Sequence, residues 1–471
     1  MNKLVIIFIL ILSGYSMNSQ KLISLDECIR LAKENSISIK QSLLNEIQSD
    51  IDLKLARNQA YPSLSANSSL AYNIGKRINP TTNTYISESF LSQSVSISSG
   101  VMLLNGLRIR NNIKKALLDK TTAKFNTQQI ERDITLLTAN YYLAVLFAEE
   151  NLKNAKTQYE SSKDQVDKSN KLVEAGANAP GASLSFEAQM LLDEQKIIAA
   201  ENDLEKAYLN LKQLLQIDEE IKIINPKTDE LINESYELLT LDEIIDKSLK
   251  QQPKLQSLDN QLKSAELSRK ILQGSLYPSL ALSGGISSDF YNKAEEITGY
   301  TSGYYDETFL INGNPVTVGV PYQTANVQNQ NYFDQLNNNI GYGLALQLSI
   351  PIYDNYSTRS QIQKSKLNIE NIKLTKEQAI QDLKTDVQSA YAEYKSAKLQ
   401  YYASQRSYDA QKLSFDNAQK QYDVGMISSY EYISIKNQLL NVQNNLLISK
   451  YDYVFKSLVL DFYLGKKISL D

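Results

Sequence analysis

The chain of 471 residues contains no histidine, no tryptophan and one cysteine. Without histidine there is no imidazole base, no Ser-His-Asp triad and no histidine metal ligand. One cysteine cannot form an intramolecular disulfide or a thiolate cluster, and Cys28 reads as a small core residue. Glycine-rich phosphate loops are also missing. The 49 basic and 53 acidic residues nearly cancel, so there is no basic footprint for nucleic acid. Nothing points to an enzyme, a cofactor or a bound metal.

Long apolar runs are absent too. The one clear run, Leu4 to Leu12, follows Lys3 and precedes small residues at Gly14, Ser16 and Ser19. This pattern predicts a secretory signal over residues 1–19, since nine apolar residues are too few to span a bilayer as a helix. No cysteine follows closely enough to suggest lipidation. An exported chain without a membrane helix is either soluble or crosses an outer membrane as strands.

What the sequence does contain is itself, twice. Tyr61-Pro62-Ser63-Leu64 recurs as Tyr277-Pro278-Ser279-Leu280, and Leu25-Asp26-Glu27 as Leu241-Asp242-Glu243, both at an offset of 216. Further on, Leu104-Asn105-Gly106 falls on Tyr353-Asp354-Asn355, and Glu174-Ala175-Gly176 on Asp423-Val424-Gly425, at an offset of 249. The offset changes once, by 33, so one half carries a single long insertion. The repeats are assigned to 20–235 and 236–471, far longer than a solenoid unit.

Each half reads as helix, strand, loop, strand, very long helix, tight turn and helix. Strands are expected near 62–76, 89–104, 278–291 and 339–353. In the last, Tyr342, Leu344, Leu346, Leu348 and Ile350 alternate with Gly343, Ala345, Gln347 and Ser349. Such alternation fits a soluble sheet over a core, or a membrane barrel with lipid on one side and a wet lumen on the other. Strand length, uncharged Ser/Gly/Asn faces and aromatic residues near the strand ends favour the barrel. Four strands cannot close one, so the pattern predicts a homo-oligomer.

Long helices are expected over 105–173 and 355–423. Apolar stripes run through Ile130, Ile134, Leu137, Tyr141, Ala144 and Ala148, and through Leu383, Val387, Ala390, Tyr394, Ala397 and Tyr401. At 1.5 Å per residue each helix is roughly 100 Å long. Glycines end both helices, giving tips at 174–181 and 424–429 and returning helices at 182–216 and 430–465. Pro62 and Pro278 force Tyr61 and Tyr277 into extended backbone, which makes them helix-to-strand junctions. The insertion, with 292–338 at its heart, is rich in Tyr, Asn, Gly and Thr and is expected to be an extracellular loop.

Strand pairs joined to such helices in a duplicated chain resemble the TolC-type outer-membrane efflux proteins. The resemblance rests on the duplicated Tyr-Pro-Ser-Leu junctions, the Leu-Asn-Gly and Tyr-Asp-Asn turns, and the second tip, Gln421-Tyr422-Asp423-Val424-Gly425. It implies a homotrimer with a twelve-stranded barrel in outer-membrane lipid, four strands per chain, continuous with a periplasmic α-helical barrel. The implied function is an exit duct for tripartite efflux or type I secretion. Its partners would be a periplasmic adaptor and a proton-driven (RND) or ATP-driven (ABC) inner-membrane pump.

The adaptor would meet Gly176, Ala177, Asn178, Tyr422, Gly425, Met426 and Ile427. The family's polar latch joins an Asp to a Tyr and an Arg. Tyr422 matches the Tyr, but the other positions hold Ala182 and Ile427, so the latch is expected to be absent. The two acidic rings of the pore map to Glu431 and Ser434, leaving one ring. Glu431 reads equally as an acid near a helix start. The rival reading, a barrel-anchored adhesin with a helical stalk, fits poorly because strands and helices alternate along the chain.

Overall fold

The computed structural model describes residues 21–78, 84–176, 179–225 and 240–468. The expected signal segment, Ala177 and Asn178 lie outside these residues. The chain divides into two units. One comprises Met1–Ile51, Leu117–Ser264 and Asn368–Asp471; the other comprises Asp52–Ala116 and Ala265–Leu367.

The duplication is written in the lengths of the helices. Helix α1 (Leu25–Asn35) and α5 (Leu241–Gln251) each have 11 residues, and α2 (Ile37–Asn58) and α6 (Pro253–Gly274) each have 22. The long helices α3 (Arg108–Glu174) and α8 (Ser357–Asp423) each have 67, and α4 (Pro180–Leu215) and α9 (Ser429–Leu464) each have 36. A short helix, α7 (Tyr332–Asn338), has no counterpart among the described residues.

The ends repeat as well. Ser24 caps α1 by accepting from the Glu27 amide at 3.3 Å. Thr240, its repeat equivalent, caps α5 in a reciprocal box with Glu243. Gln216 and Gly465 both close their helices in the left-handed region. The turns into the long helices use two consecutive left-handed residues in each half, Gly106 and Leu107 in the first, Asn355 and Tyr356 in the second.

The unit comprising Asp52–Ala116 and Ala265–Leu367 holds a four-stranded antiparallel sheet. Its strands are β2 (Ser63–Ile78), β3 (Tyr85–Asn105), β5 (Ser279–Tyr291) and β8 (Gly341–Ser349), in the order β2-β3-β5-β8. Residues directly opposite share a face. Leu346 opposes Leu282, Tyr342 opposes Ile286, and Ile286 opposes Ile97. Ser65 opposes Ser98, with their hydroxyls 2.9 Å apart. One face is therefore apolar and exposed, with Leu344 at 84 %, and the other is lined by Ser, Asn and Gly. β8 is shorter than the alternation suggested. Pro351 lacks an N–H and cannot extend the ladder.

The expected loop over 292–338 is instead built. β6 (Glu295–Ile311) and β7 (Asn314–Asn329) form a two-stranded antiparallel ribbon, followed by α7. Asn312 and Gly313, at φ 54° and 86°, make its turn. An Asn-Gly turn with both residues left-handed matches the twist of its flanking strands.

In the unit comprising Met1–Ile51, Leu117–Ser264 and Asn368–Asp471, β1 (Lys21–Ile23) pairs in parallel with β4 (Ile221–Ile223). Around them lies the main core, with Cys28, Ala32, Tyr142, Leu146, Leu211 and Leu215 fully or nearly fully buried. Arg132 on α3 ties helix ends together there. Its guanidinium donates to the Phe462 carbonyl and, at 3.3 Å, to that of Gln251, and lies over the Phe462 ring. A second cluster joins Ile244 to Val387, Ala390, Tyr394 and Ala397, with Tyr453 and Leu460.

The second apolar stripe thus packs where the sequence put it, whereas the first is rotated. Over 138–148 of α3 the buried residues are Thr138, Ala139, Tyr142, Leu143, Val145, Leu146 and Ala148, while Ile134 and Tyr141 pack half-buried against this core and Leu137 is exposed. Several elements pack around this stretch of α3, so its buried arc is wider than a coiled-coil seam.

Candidate functional site at the helix tips

Both tips are left-handed glycine caps, Gly176 at φ 71° and Gly425 at φ 75°. At the second, the Gly425 amide donates to Tyr422 and the Met426 amide to Gln421, at 2.9 and 2.8 Å. This Schellman pattern satisfies the last carbonyls of α8. Gly176, Gly425 and Met426 are exposed, and Ile427 is half-buried.

Three positions the sequence linked do come together. Ala182, Tyr422 and Ile427 line one cleft of about 670 Å3, with Lys168, Lys171 and Asp423 on its walls. No carboxylate or guanidinium stands at the two latch positions. The contact is aromatic instead. Tyr422 lies 5.0 Å from Tyr432 and 5.6 Å from Phe186 between ring centroids, and Phe415 lies 5.6 Å from Tyr432. Phe186 and Tyr432 are buried. This set joins α4, α8 and α9, and burial, with Asp423 and Tyr422 adding to it, pushes the Tyr432 hydroxyl up to about 12.

Sequence reasoning missed Phe186, Phe415 and Tyr432. The available signal was the heptad spacing of Phe415 and Tyr422 on one helix.

Glu431 sits at the third position of α9 in a capping box. The Ser428 amide donates to its Oε2 at 3.0 Å, and the Glu431 amide donates to Ser428 Oγ at 3.2 Å. Its carboxylate is exposed, and Ser434, one turn on, is half-buried. Tyr61 and Tyr277 follow the ends of α2 and α6, with Pro62 and Pro278 directly before β2 and β5.

Further along α4 and α9 is a buried polar joint absent from the sequence reading. Asp193 is 0 % exposed and Lys436 4 %. Asp193 accepts from Ser162 at 2.6 Å, Lys196 at 2.9 Å, Gln189 at 3.0 Å and Gln158 at 3.2 Å. Lys436 donates to Ser162 at 3.0 Å and Ser161 at 3.3 Å. Burial raises the Asp193 pKa, but hydrogen bonds from Ser162, Lys196 and Gln158 outweigh it and leave the group below its ordinary value. Burial lowers Lys436 to about 8 against the pull of Asp193. The repeat equivalents are Val442 and Glu187, so the duplication does not repeat this joint, which links α3 and α4 of the first half to α9 of the second.

No group of His, Cys, Asp or Glu among the described residues is arranged to hold a metal ion. No described helix is long and apolar enough to cross a membrane.

The family described as outer membrane efflux protein matches residues 28–215 and 244–466, once in each half. Among solved structures, CusC is similar with a TM-score of 0.75 at 15 % identity, over 95 % of this chain and 94 % of that one. The Campylobacter jejuni CmeC outer membrane channel gives 0.71 at 17 %, over 95 % and 86 %. The open-state Neisseria gonorrhoeae MtrE outer membrane channel gives 0.72 at 16 %, over 95 % and 90 %. No curated protein matches the sequence. The fold is that of trimeric channels in which four strands per chain build a twelve-stranded barrel continuous with an α-helical barrel. The chain belongs to the outer membrane efflux protein family: it is an outer-membrane exit channel of a tripartite efflux system, passive rather than enzymatic.

Proposed function

We propose that three copies of this chain form one duct, which receives cargo from a periplasmic adaptor and an RND or ABC pump in the inner membrane. The observation that carries this reading is the four-stranded sheet with β2 and β8 as open edges and one exposed apolar face. Unpaired edges are not tolerated in lipid, so edge must meet edge between copies. Leu184, Leu191 and Ile198 support it from α4. They are exposed and recur every seven residues, as an unfilled coiled-coil seam would.

Adaptor hairpins would dock at the tips, around Gly176-Ala177-Asn178 and Gly425-Met426-Ile427, with Tyr422 behind them. Glu431 from each copy would form an acidic constriction, with Ser434 beneath it, because crowded carboxylates attract cations. The Ser- and Asn-rich sheet face would line the lumen and select little, leaving cargo choice to the pump.

Native mass spectrometry of the detergent-solubilised protein tests the assembly, paired with single-channel recording in planar bilayers. Three chains per particle and discrete conductance steps are expected. A monomer without conductance would overturn the reading.

A further inference from the structure

The β6–β7 ribbon occupies the one place where the two halves differ in length. The corresponding first-half connection is the short link between β2 and β3. Sixteen paired positions at about 3.4 Å each give the ribbon a reach of roughly 50 Å.

Its base is fixed. The side chain of Gln335 on α7, fully buried, accepts from the Tyr291 amide at 3.0 Å and donates to the carbonyls of Tyr291 and Gln330 at 3.1 and 3.0 Å. Ser288 donates to the Leu336 carbonyl at 2.7 Å, and the Asn339 side chain to that of Asp289 at 2.6 Å. The ribbon therefore stands on a firm mount at the far end of β5 from its junction with α6.

The two faces of the ribbon differ. Tyr305 opposes Val320, Phe309 opposes Val316, and Tyr322 opposes Gly303. A side chain at position 303 would meet the Tyr322 ring at 2.8 Å, so the glycine lets that ring lie across the ribbon. Tyr305 and Tyr322 are 6.2 Å apart. On the other face Asp306, Gly319, Thr308 and Thr317, the two threonine hydroxyls 3.2 Å apart, separate exposed Tyr304 from exposed Leu310 and interrupt its apolar surface. Phe309 and Val318 on the first face are 45 % and 44 % exposed. An isolated two-stranded ribbon is marginal in water, and an uncovered apolar face on it calls for a partner.

Two observations choose the partner. Residues 295–329 carry Glu295, Glu296, Asp306 and Glu307 and no Lys or Arg. An anionic lipid surface would repel the ribbon. Its return strand also leads through α7 into β8, the edge strand that would meet another copy in the duct proposed above.

We propose that the ribbons of three copies pack on one another through the Tyr305–Phe309–Val318–Tyr322 face and cap the outer mouth of the barrel. The proposal rests on the trimeric duct proposed above. Glu307, opposite Val318, is the acid within the Tyr305–Tyr322 stretch of that face. Three such carboxylates limit how tightly the cap closes.

Single-cysteine variants test the packing, because the only native thiol, Cys28, is buried and raised to about 12 by burial and the Glu27 charge. Val318→Cys and Thr317→Cys place a thiol on opposite faces at adjacent positions. With a short bis-maleimide on purified protein, Val318→Cys is expected to give covalent dimers, the limit for one thiol per chain, and Thr317→Cys none. On intact cells a bulky maleimide should label Thr317→Cys faster.

No cross-link from Val318→Cys, or equal labelling of both positions, would overturn the cap. Cross-linking from Thr317→Cys alone would also overturn it, since the wrong face would be buried. Native mass spectrometry of the same samples separates the two claims. Three chains without cross-links defeats the cap alone, whereas any other stoichiometry defeats the duct and the cap together.

Discussion

The rings of Tyr422 and Tyr432 lie 5.0 Å apart, inclined by 33°, across the turn from α8 to α9. With Phe186 and Phe415 they occupy the tip where the family's polar latch would lie. Truncating a buried aromatic ring typically costs about 3–5 kcal/mol. Phe186→Ala and Tyr432→Ala are expected to loosen the tip and raise single-channel conductance, whereas Tyr422→Phe keeps the ring and should leave it unchanged. Because Tyr432 ionises only near 12, conductance set by this cluster should not vary between pH 6 and pH 9.

Glu431 offers a clean separation of two roles. Glutamine also completes a capping box. Glu431→Gln should therefore preserve melting temperature while removing charge. If the carboxylates form a constriction, cation selectivity measured as reversal potential in a salt gradient will fall. An unchanged reversal potential would leave Glu431 as a cap only.

The Asp193–Lys436 joint gives a pH dependence whose sign is unusual for a lysine. Lys436 falls from 10.5 unfolded to about 8 folded. Between these values the unfolded chain holds more protons, so stability rises with pH. The gain, at most about 3 kcal/mol, starts near pH 8 and saturates above the unfolded value. Asp193, lowered when folded, contributes stability that is present above its unfolded value and lost as pH falls through its folded one. Thermal melts from pH 7 to 10.5 should show Lys436→Met flatter than the native protein, with Asp193 and Lys196 unchanged.

Gly106 and Gly274 approach so closely that neither tolerates a side chain. A Cβ on Gly106 would lie 2.2 Å from the Gly274 carbonyl oxygen, and one on Gly274 2.6 Å from that of Gly106. Gly106 is also left-handed, at φ 63°. Gly106→Ala is expected to reduce assembled oligomer in the outer membrane more than Gly274→Ala does, as read by heat-modifiable mobility in gels.

Much of this architecture is legible in the chain because duplication supplies an internal alignment. The Tyr-Pro-Ser-Leu and Leu-Asp-Glu pairs locate junctions and helix starts in both halves, and period-two alternation locates β5 and β8. Composition misled over 292–338, where Tyr, Thr and Asn suggested a loop, although Asn312-Gly313 between long alternating segments signals a hairpin. The α3 stripe is misplaced because periodicity finds one packed face, and this helix is covered on more than one. Asp193 and Lys436 are 243 positions apart and look like ordinary helix-surface charges. Only the packing of α3, α4 and α9 reveals that they are buried together.

The equal lengths of the paired helices have a practical reading. Pairs of 11, 22, 67 and 36 residues act as matched rulers, and changing one by a single residue would turn every later side chain by about 100° against its neighbours. The whole length difference between the halves has accumulated in the link between one pair of strands, where no helix must keep step. That link is where epitope tags, fluorophores or grafted loops belong, at Asn312-Gly313 above all, and the helices are where a single-residue insertion would be the harshest change the chain could receive.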